Sequence, residues 1–127
     1  MLLQTNSYVV PRDKRHEHAR LMKRFMQIMA RLGCERFEVY EQVGPGWTAA
    51  HADPRYIQII RFRDRKQHQA LQEAERNDPQ AQQLIREFCD LIGFDQQQQQ
   101  GQFSAGYYGS VVTAPAEPAG DVPGAAG

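Results

Sequence analysis

Four histidines, two cysteines and a single tryptophan are the residues of this 127-residue chain whose chemistry depends most on where the fold puts them. His18 stands out. A helical projection from Asp13 to Leu32 sets it near the centre of the arc formed by Leu21, Met22, Phe25, Met29 and Leu32. An imidazole on that arc faces inward. It is then either a buried histidine satisfied by backbone or water, or a cavity residue that moves a proton or anchors a ligand near neutral pH. His16 projects to the opposite, solvated face, so the His16-Glu17-His18 triplet does not bring two metal ligands together. His51 falls in a loop and His68 at a helix edge, and no second pair has ligand spacing, so no metal site is expected. Cys34 and Cys89 lie far apart without C-x-x-C spacing and without an adjacent histidine; they read as reduced thiols. Trp47, in a Gly44-Pro45-Gly46 context, is either a plug packed on a sheet or a lid over a pocket. No G-x-S-x-G, P-loop or dinucleotide fingerprint occurs.

The elements that must position these residues follow from periodicity. Leu2 to Val10 is rich in β-formers and is closed by Pro11, which removes a ladder donor. Asp13 to Leu32 is an amphipathic helix ended by Gly33, with Arg20, Lys23, Arg24, Gln27 and Arg31 on its polar face. Glu35 to Val43 alternates as a second strand, the Gly/Pro-rich stretch to Pro54 is a loop, and Arg55 to Phe62 is a third strand with two largely apolar faces. Asp64 caps a short helix around Leu71, and Asp78-Pro79 reads as an N-cap followed by proline at the first helical position. The next helix carries Leu84, Ile85, Phe88, Leu91 and Ile92, and Gly93 ends it; a last strand spans about Gln102 to Val112. The run Gln96 to Gln100 lies between helix and strand and is assigned no role. Residues 1–113 form the expected domain, and Ala114 to Gly127, rich in alanine, proline and glycine, is expected to be a disordered tail.

Fifteen basic residues balance fifteen acidic ones, so no net field draws the chain to nucleic acid or an anionic membrane. The basic residues of the first helix are not interleaved with aromatics as base stacking requires, and they read as a solvated face. No apolar run is long enough to cross a membrane and no start resembles a signal peptide, so a cytoplasmic protein is expected.

Strand, helix, strand, strand, helix pair, strand is the order of an α+β, ferredoxin-like β-α-β-β-α-β domain: a four-stranded antiparallel sheet with helices on one face. Tyr8, Tyr40, Tyr56, Ile60, Phe62, Tyr107 and Tyr108 leave no fully polar set of alternating positions. The uncovered sheet face therefore calls for a second copy, and a homodimer with these tyrosines and Ile60 at its interface is expected.

The strand-proline-basic helix opening, the Glu35-Arg36-Phe37-Glu38-Val39-Tyr40-Glu41-Gln42 strand, the Tyr56-to-Asp64 segment running straight into a helix, and the closing Gly106-Tyr107-Tyr108-Gly109-Ser110-Val111-Val112 segment resemble the dimeric α/β-barrel superfamily. Within it the chain is most similar to the antibiotic-biosynthesis-monooxygenase and NIPSNAP-like groups, over about residues 1 to 112. The resemblance implies two sheets facing each other in a barrel, with ligands between sheet and helices. It implies a role for Asn6, since cofactor-free and haem-degrading monooxygenases of this superfamily often carry an asparagine in strand one that polarises substrate or oxygen. Those relatives tend to have tryptophan at the end of strand three and histidine in the helix beyond; here Phe62 and Gln72 or Gln82 stand there, which argues against haem degradation. The function expected is a small cofactor-independent monooxygenase-like enzyme for an apolar, aromatic molecule, with Asn6 polarising and His18 transferring protons. Trp47, Phe62, Met22 and Phe25 would contact the substrate. The competing expectation is a non-catalytic dimeric module for a hydrophobic ligand or protein partner. In either case Asn6 and His18 are expected to share one cavity.

Overall fold

The computed structural model describes residues 1–44 and 53–114. Trp47, His51 and residues 115–127 of the expected tail lie outside the described residues.

Among the described residues four strands and four α-helices follow in the order expected, with one helix more: β1 (Leu2–Val9), α1 (Arg15–Leu32), β2 (Arg36–Glu41), β3 (Arg55–Phe62), α2 (Arg65–Arg76), α3 (Pro79–Ile92), α4 (Phe94–Gln99) and β4 (Ser104–Gly109). A 3-10 turn at Arg12–Lys14 leads into α1. The punctuation works as its chemistry dictates. Asp64 accepts from the Gln67 amide at 2.9 Å and Asp78 from the Ala81 amide at 3.0 Å, each satisfying a free N–H of a helix start. Gly33 and Gly93 end α1 and α3 with φ of 103° and 66°, the left-handed conformation that side chains disfavour.

The strands form one antiparallel sheet of order β2-β3-β1-β4, the ferredoxin-like arrangement. Register decides the faces. Asn6 stands between Gln58 and Ala105, Gln4 between Ile60 and Tyr107, and Tyr8 opposite Tyr56. This rank faces the helices, where Tyr8, Tyr56, Ile60 and Phe62 join Leu21, Met22, Phe25 and Met29 of α1 and Leu71, Leu84, Phe88 and Ile92 of α2 and α3 in a single core. Charged residues hold the helices together from outside: Arg24 donates to both carboxylate oxygens of Glu87 at 2.7 and 3.2 Å, and Arg31 pairs with Asp78 at 2.8 Å. No helix among the described residues is long and apolar enough to cross a membrane.

The composition of the open face needs correcting. Ile60, Tyr8, Tyr56 and Tyr107 do not lie there, because period-two alternation and the register turn them to the helix side, where Tyr107 stays half exposed. Tyr40 and Tyr108 do lie on that face as expected, together with Leu3, Ile57 and Ile59, and Ile57, Tyr40 and Tyr108 are exposed. At its β2 side Glu38 gathers Arg61 at 2.8 Å, Arg36 at 3.0 Å and the Tyr40 hydroxyl at 3.0 Å.

α4 grows out of the glutamine run, and Gln97 is its reason. β4 pairs with β1 only as far as Ser7, so the N–H and C=O of Val9 on that side lack a strand partner. The buried Gln97 side chain supplies one: its Oε1 accepts from Val9 N–H at 3.0 Å, and its Nε2 donates to Val9 C=O and Ile92 C=O, each at 2.7 Å. A primary amide is a peptide group in miniature, so Gln97 acts as one more rung of the ladder.

Candidate functional site

The inward rank of the sheet is not purely apolar. Gln4 and Asn6 on β1 and Gln58 on β3 interrupt it, and above them α2 presents His68, Leu71, Gln72 and Glu75 along one side. A cavity of about 320 Å³ lies between sheet and helices at this point. Phe25, Phe37, Phe88, Phe94 and Phe103 dominate its walls; Gln4, Asn6, Gln58, Gln72 and Glu75 supply its polar groups. Gln4, Gln72 and Glu75 make no side-chain hydrogen bond among the described residues, so their polar groups are open to a ligand.

Four side chains are joined end to end, starting from Asn6 and Gln58 at the cavity floor. Asn6 Nδ2 donates to Gln58 Oε1 at 3.1 Å, Gln58 Nε2 donates to the Tyr8 hydroxyl at 3.2 Å, and that hydroxyl lies 2.7 Å from His18 Nε2. With its oxygen already accepting from Gln58, Tyr8 has its own proton to give, and the imidazole nitrogen at 2.7 Å is its nearest acceptor. His18 then carries its proton on Nδ1. Burial pushes the His18 imidazole down to about 4, so it is neutral at physiological pH. Burial raises the Tyr8 hydroxyl well above its ordinary range, with only partial relief from the Gln58 hydrogen bond, so it stays protonated. The chain is thus a line of neutral groups with every donor pointing toward His18.

His18 and Asn6 do face the same interlayer, but they do not share a cavity. His18 lines a separate recess of about 570 Å³ with Arg12, Arg15, His16, Met22, Glu41 and Tyr56. Tyr8, Gln58 and Met22 pack between them, and besides the hydrogen-bonded chain the Met22 Sδ accepts from Gln58 Nε2 at 3.4 Å. Of the other expected contact residues, Phe25 lines the interlayer cavity, whereas Met22 lines the His18 recess. Phe62 is fully buried and packs edge-on against His68, with ring centres 4.9 Å apart.

Several residues of the site were not singled out from sequence. Gln58 and Tyr8 complete the chain, and their signal was a polar residue and a hydroxyl on the buried parity of their strands. His68, placed at a helix edge by its sequence, is buried between Phe62 and Tyr107, and its Nε2 has no partner among the described residues. Burial, and then Arg65, lower its imidazole. Glu75 lies on the inward side of α2 and burial raises its carboxyl. Cys89 also lines the cavity; burial, then Asp90 and Asp95, raise its thiol, which therefore stays protonated. Among the described residues no three His, Cys, Asp or Glu side chains gather in a way that could hold a metal ion.

No sequence family matches the chain, and no curated protein matches it by sequence. Solved structures do match. A provisionally named antibiotic biosynthesis monooxygenase from Deinococcus radiodurans aligns with a TM-score of 0.56 and 11% identity, over 93% of this chain and 100% of that one. An uncharacterised NIPSNAP domain protein from Burkholderia xenovorans aligns with a TM-score of 0.61 and 12% identity, over 91% of this chain and 100% of that one. At such identity the likeness is one of fold. In its strand order and in these neighbours alike, the chain has the ferredoxin-like α+β fold shared by monooxygenase-like and NIPSNAP-like proteins.

Proposed function

We propose that the protein is a small cofactor-independent monooxygenase-like enzyme that takes an apolar, aromatic molecule into the cavity between sheet and helices. The observation that carries this reading is the cavity itself: about 320 Å³, walled mainly by phenylalanines, with the Asn6 and Gln58 amides on its floor. That volume lies at the small end of the range for ligand sites, about 300–1,000 Å³. One Asn6 N–H is committed to Gln58, which leaves the second N–H and the carbonyl oxygen for a ligand. A fixed amide N–H stabilises negative charge that develops on a substrate oxygen. The substrate itself supplies the electrons to dioxygen in this reading. His18 acts from outside the cavity, by fixing the direction of the amides.

A specific observation favours a second reading, a non-catalytic module for a hydrophobic ligand: His18 Nε2 is engaged by Tyr8 and lies outside the cavity. One experiment separates the two. Native mass spectrometry of gently purified protein is expected to retain an apolar ligand, and oxygen uptake with a tricyclic phenol is expected to vanish in Asn6→Leu. Ligand retention without oxygen uptake would favour the module, and the absence of both would remove the enzyme reading.

The proposal includes a homodimer formed through the open sheet face, where Ile57, Tyr40 and Tyr108 are exposed around Leu3 and Ile59. Sedimentation at micromolar concentration is expected to give twice the chain mass, and Ile59→Lys is expected to give the monomer. A wild-type monomer would exclude that interface.

A further inference from the structure

Among the titratable groups that line the interlayer cavity, Glu75 is the single carboxyl in the described residues. α2 delivers it there because it stands one turn beyond Leu71, on the side that also holds His68, and both of those residues are buried. Its backbone is held as well: the Glu75 carbonyl accepts from Gln82 Nε2 at 3.0 Å, tying the end of α2 to α3. Its carboxylate has no hydrogen bond or ion pair among the described residues. The other cavity walls bring no charge among the described residues. α1 gives Phe25 and Met29, α3 gives Ile85, Phe88 and Cys89, and the sheet gives amides and apolar groups. Arg76 is turned to an outer recess that Glu75 and Gln72 also border, which places Glu75 at the cavity mouth.

A half-buried carboxylate without a donor is costly, and a ligand that brings one recovers that cost. The remaining walls fix the rest of the ligand's character, since phenylalanines favour an aromatic body. We propose that Glu75 is the proton acceptor of the cavity, and that its ligand is an aromatic molecule with an acidic hydroxyl, a phenol or enol, whose O–H donates to the Glu75 carboxylate. Proton transfer would break the ligand O–H bond, place the proton on a Glu75 oxygen and leave the electron pair on the ligand oxygen, with no change in oxidation state. This inference rests on the cavity being the ligand site, as proposed above. Burial that raises the Glu75 pKa brings its basicity closer to that of such a hydroxyl.

The test compares 2-naphthol, 2-methoxynaphthalene and naphthalene by isothermal titration against wild type and Glu75→Leu, with circular dichroism to confirm folding. Wild type is expected to prefer the naphthol over its methyl ether by about tenfold, the usual worth of a hydrogen bond to a charged group. In Glu75→Leu the preference is expected to fall to about twofold or less as that hydrogen bond disappears. The Glu75 carboxyl ¹³C signal of wild type, which needs no substitution, is expected to shift on adding 2-naphthol and not on adding its ether. Equal binding of naphthol and ether to wild type, or a preference that survives in folded Glu75→Leu, would overturn the role of Glu75 and leave the cavity reading standing. Failure of all three probes to bind would overturn both.

Discussion

Lowering the pH from 6.5 to about 4 is expected to weaken the fold by on the order of 3 kcal/mol through His18 alone. Burial holds the folded imidazole at about 4, against an ordinary value of 6.5. Between those limits the unfolded chain binds a proton that the folded chain refuses. Stability from this group is therefore complete above 6.5 and is lost as the pH falls through about 4. His68, lowered by burial and by Arg65, works in the same direction, whereas Glu75, raised by burial, works against it. Urea denaturation at a series of pH values, on wild type and on His18→Gln, isolates the term. The variant is expected to be less stable at pH 7, having lost the 2.7 Å contact with Tyr8, and to show a shallower decline toward pH 4. Parallel pH profiles for the two proteins would show that the imidazole is not desolvated.

The other large effect is expected inside the glutamine run. Gln97→Ala removes one acceptor and two donor bonds at once and leaves the Val9 N–H, the Val9 C=O and the Ile92 C=O without their partner. A buried group left unpaired costs about 1–3 kcal/mol, so a loss of about 3–5 kcal/mol is expected, a large share of ordinary domain stability. Alanine at Gln96, Gln98, Gln99 or Gln100, all exposed, is expected to change stability by less than about 0.5 kcal/mol. Thermal melts of the five variants would settle the matter, and five equal losses would refute the rung described for Gln97.

That contrast shows where sequence reading stops. Arg55–Phe62 was legible as a strand to the residue, because alternation and the flanking Pro54 and Asp64 all point the same way. The helix ends at Gly33 and Gly93 and the caps at Asp64 and Asp78 were legible for the same reason: each rests on a local backbone requirement. Gln97 was not, since what distinguishes it from its four identical neighbours is a missing rung on β1, a fact of pairing between distant segments. Helical projection also placed His18 on the inward side of α1, and Asn6, expected from its place in strand one, faces the same layer. It could not place them in one cavity or two, because that depends on the volumes of Tyr8 and Gln58 lying between them. Glu75 escaped notice because a side of α2 reading His68, Leu71, Gln72, Glu75 has one apolar member and looks solvated. It faces inward because the cavity lets a polar group be buried without being enclosed.

The direction of the Asn6-Gln58-Tyr8-His18 chain has a consequence of its own. Each amide and hydroxyl gives a proton on one side and takes one on the other, so turning any member obliges the rest to turn. The row has two self-consistent settings, one ending with a proton on His18 Nδ1 and the other with a proton on Nε2 given to Tyr8. A group that occupied the free carbonyl or N–H of Asn6 would bias that choice. A ligand bound at Asn6 would then be expected to register at an imidazole in a different recess, with no backbone shift between them.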